Sequence, residues 1–202
     1  MSLNLPEKTD GNDELDPVTG LIKHARQVPS PNYDERPQGM QIEALIIHAI
    51  SLPPCEFGDE YIEQFFCNRL PVDEHPYFRE IAELRVSSHF LIKREGELLQ
   101  FVSVNNRAWH AGVSCCMGRE AVNDFSVGIE LEGCDDEGFE ELQYRTLHEL
   151  TRTLVNSIPA LAIDNIYGHS DISPGRKTDP GPGFDWERYR IALRDDERIR
   201  YA

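Results

Sequence analysis

Apolar residues crowd together in Glu43–Ile50, EALIIHAI, where aliphatic side chains follow one another at nearly every position. A short run of that kind, with no polar alternation, predicts a central strand buried on both faces. Alternation takes over in Ser88–Val104, SHFLIKREGELLQFVSV, on either side of Gly96, and predicts a hairpin. In SVGIELEG (Ser126–Gly133) Val127, Ile129 and Leu131 share one face of a third strand, while Gly128, Glu130 and Glu132 share the other. The period then changes. Between Glu140 and Ile158, Leu147, Leu150, Leu154 and Ile158 recur at helical spacing, and Pro159 stops the run. NIYGH (Asn165–His169) predicts a short strand that ends at the histidine. A last helix is expected from Asp185 as N-cap, with Phe184 and Tyr189 spaced for a hydrophobic staple. Strands interleaved with helices give an α/β layer fold (α+β by some schemes) in one domain.

Two segments fall outside these periodic patterns. Residues 1–20 carry five acids, one base and interspersed Pro and Gly, and are expected to form a mobile acidic tail ahead of a domain spanning 21–202. Val28–Gly39 holds Pro29, Pro31 and Pro37, which predicts an extended wrap.

Composition narrows the function classes. The chain of 202 residues is long enough to bury a core without disulfide staples. Its 20 basic residues against 36 acidic ones give a net charge of −16, which repels phosphate backbones and anionic lipid, so no nucleic-acid or membrane partner is expected. Five cysteines, an odd number without a CxxC, do not form a disulfide framework and suit a reducing compartment. The first residues have neither the basic nor the apolar region of a secretory signal, and no stretch reaches the roughly 18 apolar residues of a membrane span. A cytoplasmic monomer is the expectation.

Among seven histidines two stand out by context. His48 lies inside an apolar strand, where an imidazole without a task costs desolvation. His169 opens GHSDISPGRKTDPGPG, in which Asp179 precedes a proline and is pushed toward extended backbone, so that Lys177 and Asp179 project to one side. A carboxylate and an ammonium aimed at one place, ten residues after a histidine, are what a metal-assisted hydrolase requires; a surface Lys177–Asp179 salt bridge is the plainer alternative. Glu130 has two readings as well, a solvent-facing strand residue or a general base. WHAGVSCC (Trp109–Cys116) invites a cysteine-hydrolase reading with His110, but no nucleophile turn accompanies it.

The segments VPSPNYDERP, LIIHAISLPPCEFG, HPYF, LRVSSHFLIKREGELLQFV, RAWHAGVS, NDFSVGIELEG and GHSDISPGRKTDPGPGFDW occur in this order between about residues 24 and 190. Together they resemble the zinc-dependent N-acetylmuramoyl-L-alanine amidases of type 2, and within them the branch that acts on anhydro-muropeptides in peptidoglycan recycling. The resemblance implies a mixed β-sheet flanked by helices, the fold shared with peptidoglycan-recognition proteins. It implies one Zn²⁺ on His48, His169 and Asp179, Glu130 as general base and acid, and Lys177 as transition-state stabiliser. Arg85, Trp109 and Arg119 are the implied substrate contacts, and an anhydro-muropeptide the substrate. Two positions depart from the family pattern, Ala49 where Asn is expected and Ala121 where Arg is expected. The same fold also serves amidases of intact cell-wall peptidoglycan and non-catalytic peptidoglycan-binding modules, and these are the alternative functions.

Overall fold

The computed structural model of the chain describes residues 14–199. Its strands, in chain order, are β1 (Arg26–Gln27), β2 (Tyr33–Glu35), β3 (Ala44–Ile50), β4 (Phe90–Ile92), β5 (Leu98–Gln100), β6 (Asn106–Ala108), β7 (Cys115–Cys116), β8 (Arg119–Glu120), β9 (Ser126–Glu132) and β10 (Ile166–Gly168). The helices are α1 (Tyr61–Phe66), α2 (Pro76–Ile81), α3 (Glu141–Ser157), α4 (His169–Ile172) and α5 (Trp186–Arg194). Six strands form one sheet in the order β1-β5-β4-β9-β3-β10. From β4 to β10 the neighbours run parallel, and β5 closes the predicted hairpin antiparallel to β4. Gly96, at φ +85°, makes that turn. The mixed sheet with flanking helices is the architecture expected.

The two central strands explain their own sequences. Leu45 and Ile47 of β3, with Val127, Ile129 and Leu131 of β9, pack into the main core against Leu147, Leu150 and Leu154 of α3. Ala44 and Ile46 point the other way, into a smaller cluster with Val122, Phe125 and Ile172. His48 has the same parity as Ala44 and Ile46, so it projects from this second face. It stands in register with Glu130, which shares its face with Gly128. The apolar run therefore delivers one imidazole to the end of a parallel strand, the usual place for ligands in open parallel sheets. Asp185 accepts from the backbone N–H of Arg188 as N-cap of α5, and the Phe184 and Tyr189 rings pack at 5.7 Å as the staple predicts.

Three expectations need correction. His169 does not end a strand: β10 stops at Gly168, and His169 is the first residue of α4. Residues 14–20, expected to belong to a mobile tail, are packed on the domain. Residues 1–13 lie outside the described residues, but Leu15 is buried in the main core and bridges to Ile22. The carbonyl of Gly20 accepts from the backbone N–H of Val104 and from Gln100 Nε2, tying this segment to the sheet. A single leucine in an acidic stretch is enough to dock it, because Leu15 meets apolar side chains brought there by the sheet. Lastly, Cys55 and Cys134 are joined in a disulfide, whereas Cys67, Cys115 and Cys116 are free thiols.

Candidate metal centre and active site

Asp179 reaches His169 through a short return of the chain. After α4 the backbone turns at Ser173–Lys177, and the carbonyl of Asp179 then accepts from the N–H of Ser170 at 2.9 Å. That bond sets the Asp179 carboxylate beside α4. The outer side of the loop rests on the segment after β9: Gly183 N–H donates to the Asp135 carbonyl at 2.7 Å. A Cβ on Gly181, at φ +78°, would come within 2.3 Å of the Asp135 backbone, so only glycine permits this approach.

The result is a triangle of potential ligand atoms. Nδ1 of His48 and Nδ1 of His169 are 2.9 Å apart, and Asp179 Oδ2 lies 3.2 and 3.1 Å from them. Zinc bonds of about 2.0–2.1 Å in tetrahedral geometry set ligand atoms about 3.3 Å apart, so the triangle needs only slight opening. His169 Nε2 lies 3.1 Å from the carbonyl oxygen of Ala111. Arg176 Nη2, which can only donate, lies 3.3 Å from the same nitrogen, so either tautomer finds partners here, and a metal on Nδ1 would put the ring proton on Nε2, toward the Ala111 carbonyl. Two imidazoles and one carboxylate form a donor set that suits a divalent cation, and three protein ligands, one short of four, are the number of a catalytic zinc site.

Electrostatics agree with that donor set. Burial lowers the pKa of His48 to about 4, outweighing the nearby Asp179 carboxylate, so the ring is neutral at physiological pH. For Asp179 burial acts upward, but its close contacts with His169 and His48 outweigh it and hold the carboxyl well below its ordinary range. Glu130 behaves in the opposite way. It is buried, and burial together with the nearby Asp179 charge raises its pKa well above the ordinary value, against the opposing charge of Lys177. The solvent-facing reading of Glu130 is therefore corrected. Lys177 lies near enough to act on both Glu130 and His48, and Asp179 spends its carboxylate on the imidazoles, so the Lys177–Asp179 salt bridge is not what the loop forms.

The sequence-derived substrate contacts are spread more widely. Trp109 is half-buried, its Nε1 donating to Asp34 Oδ1 of β2 at 3.2 Å. Arg85 is exposed and donates to the carbonyls of Ala82 and Leu84. Arg119 is held by both oxygens of Glu43 at 2.9 Å and lies over the Phe125 ring. No contact among the described residues ties either arginine to the triangle. Residues that the sequence reading missed do touch it or brace it. His110 Nδ1 is 2.9 Å from His48 Nε2, Asn123 Oδ1 accepts from the N–H groups of His110 and Ala111, and Arg176 donates to the Ala111 and Val113 carbonyls. The signal for His110 is Gly128, alone without a side chain on the polar face of β9, since a Cβ there would lie 2.5 Å from the His110 ring.

Two histidines and one carboxylate that could hold a metal ion stand here with a buried glutamate and a lysine alongside, a combination suited to a metal-assisted hydrolase. The family description for N-acetylmuramoyl-L-alanine amidase matches residues 38–182, a span that contains all five of these residues, and the chain belongs to that family. It is 54% identical over 177 residues to the 1,6-anhydro-N-acetylmuramyl-L-alanine amidase AmpD of Salmonella typhimurium strain SL1344, covering 88% of this chain and 94% of that protein. Among solved structures it is similar to the crystal structure of a selenomethionine AmpD derivative, with a TM-score of 0.85 and 50% identity over 89% of this chain and 98% of that one. AmpDh3 from Pseudomonas aeruginosa, solved in complex with anhydromuramic pentapeptide, is 27% identical with a TM-score of 0.57, over 77% of this chain and 61% of its own. The chain is accordingly an amidase, similar over most of its length to the AmpD proteins.

Proposed function

We propose that this amidase cleaves the bond between 1,6-anhydro-N-acetylmuramic acid and the L-alanine of the stem peptide, with one zinc ion on His48, His169 and Asp179. The carrying observation is the triangle of three potential ligand atoms next to Glu130 and Lys177. The relatives' names and the AmpDh3 complex support the substrate class. Zinc, when bound, supplies Lewis acidity toward a water and the scissile carbonyl. Glu130 takes the proton of the attacking water and delivers it to the leaving alanine nitrogen. Its raised pKa makes it a stronger base than an ordinary carboxylate, nearer the pH at which it works. As the carbonyl becomes tetrahedral, negative charge grows on its oxygen, and the Lys177 ammonium meets it. Arg85, Trp109 and Arg119 are proposed to contact the sugar and peptide, in a protein acting as a monomer.

Peptidoglycan recycling in the cytoplasm is the proposed setting, which three free thiols suit. One observation favours a second reading, an amidase of intact wall material in an oxidising compartment: the Cys55–Cys134 disulfide. Anhydro-muropeptide and intact muropeptide, incubated separately with the protein with and without chelator, separate the readings. Mass spectrometry should show free stem peptide from the anhydro substrate in the absence of chelator only. Release from intact muropeptide alone, or release that chelator does not touch, would overturn the proposal.

A further inference from the structure

Which nitrogen of His48 carries its proton is decided two residues away from the metal triangle. Ser126 Oγ donates its single proton to the Val122 carbonyl at 2.7 Å, so toward His110 Nε2, 3.3 Å away, it can only accept. His110 Nε2 is therefore protonated. No carboxylate touches His110 among the described residues, and a second proton would make it an unpaired buried cation. Its Nδ1 is thus a lone pair, and it faces His48 Nε2 at 2.9 Å. His48 must then donate from Nε2, which leaves its Nδ1 bare and directed at His169 and Asp179.

The seat of His110 is built for this. Its ring occupies the space left by Gly128, and Asn123 Oδ1 accepts from the backbone N–H groups of His110 and Ala111 at 3.2 and 2.8 Å. The adjacent Ala111 carbonyl lies 3.1 Å from Nε2 of His169. One short loop thereby addresses the outer nitrogen of both imidazoles in the triangle.

We propose that His110 is a positioning residue of the metal site: seated over Gly128 and held by Ser126, it accepts the His48 Nε2 proton and keeps Nδ1 of His48 free for the metal. The proposal rests on the zinc reading above, and the two can fail separately. Zinc affinity is measured by competition with a chromophoric chelator for wild type, His110→Ala and His110→Asn. Asn can place a carbonyl oxygen near the position of Nδ1. Alanine should weaken zinc binding by about 10–100-fold, as losses of outer-sphere partners do, and asparagine should recover most of that loss. Alanine with wild-type affinity, or asparagine no better than alanine, overturns the positioning role while leaving the zinc site standing. Wild-type protein that binds no zinc sinks the zinc reading and the proposal with it. A second measurement needs no variant: long-range ¹H–¹⁵N spectra of the metal-free wild type should show His48 protonated on Nε2, and protonation on Nδ1 would overturn the proposal.

Discussion

Replacing Glu130 by glutamine should make the metal-free protein more stable while it disables the enzyme. The side chain is 8% exposed in the middle of the sheet, and burial plus the Asp179 charge raises its pKa well above that of an unfolded glutamate. Above the unfolded value of about 4.3, the unfolded chain releases a proton that the folded chain retains. Stability then falls with rising pH by about 1.4 kcal/mol per unit until the folded carboxyl also ionises. For a domain of this size that slope corresponds to about 3–6 °C in Tm per pH unit. Glutamine keeps the shape and does not titrate, so it removes the slope. The assay is thermal unfolding of chelator-stripped wild type and Glu130→Gln from pH 4 to pH 8, read as the difference in Tm, in which groups common to both proteins largely cancel. The difference should be smallest near pH 4 and grow in favour of glutamine as the pH rises. In the zinc-loaded enzyme the same substitution should cost about 10²–10⁴ in turnover at every pH. A Tm difference that stays flat across the range, or a glutamine variant with wild-type turnover, would refute both the placement of Glu130 and its role.

Three other outcomes follow from the geometry. Lys177→Ala should keep stoichiometric zinc yet lower kcat by about 10²–10³ with KM little changed, because the charge it meets on the substrate develops only in the transition state; steady-state kinetics with metal analysis checks this. A chain starting at Leu21 should be less stable than one starting at Glu14 by about 2–5 kcal/mol, the range for losing a buried leucine, measured by denaturant unfolding. Gly181→Ala forces a Cβ into the Asp135 backbone and so displaces the loop that carries Asp179; chelator competition should show zinc affinity reduced by about tenfold or more.

The parts of this molecule that were legible in its sequence are those fixed by local chemistry. β3, β9, α3 and the staple of α5 follow from apolar periodicity and one N-cap, and the Asp179 loop from the proline after it. His48 was legible because it breaks the apolar pattern of the strand that holds it, whereas Glu130 keeps the alternation of its strand and only the family resemblance marked it. What stayed hidden depends on strands meeting in space. Cys55 and Cys134 are 79 positions apart, and they meet because β3 and β9 pair in parallel register, with Gly133 donating to the Ile50 carbonyl where the two strands end. The bracing of His48 by His110, Ser126 and Asn123 needs a loop folded over the glycine of a neighbouring strand, and no spacing along the chain announces it. Docking of Leu15 likewise depends on a surface assembled from distant residues.

The central claim, that His48, His169 and Asp179 hold one catalytic zinc, is tested most directly by counting metal. Chelator-stripped wild type and Asp179→Ala are dialysed to equilibrium against the same low free zinc concentration, and the zinc per chain is determined by elemental analysis. The account predicts one zinc per wild-type chain and far less than one for the variant. Wild type without zinc, or a variant that retains one zinc per chain, would contradict it.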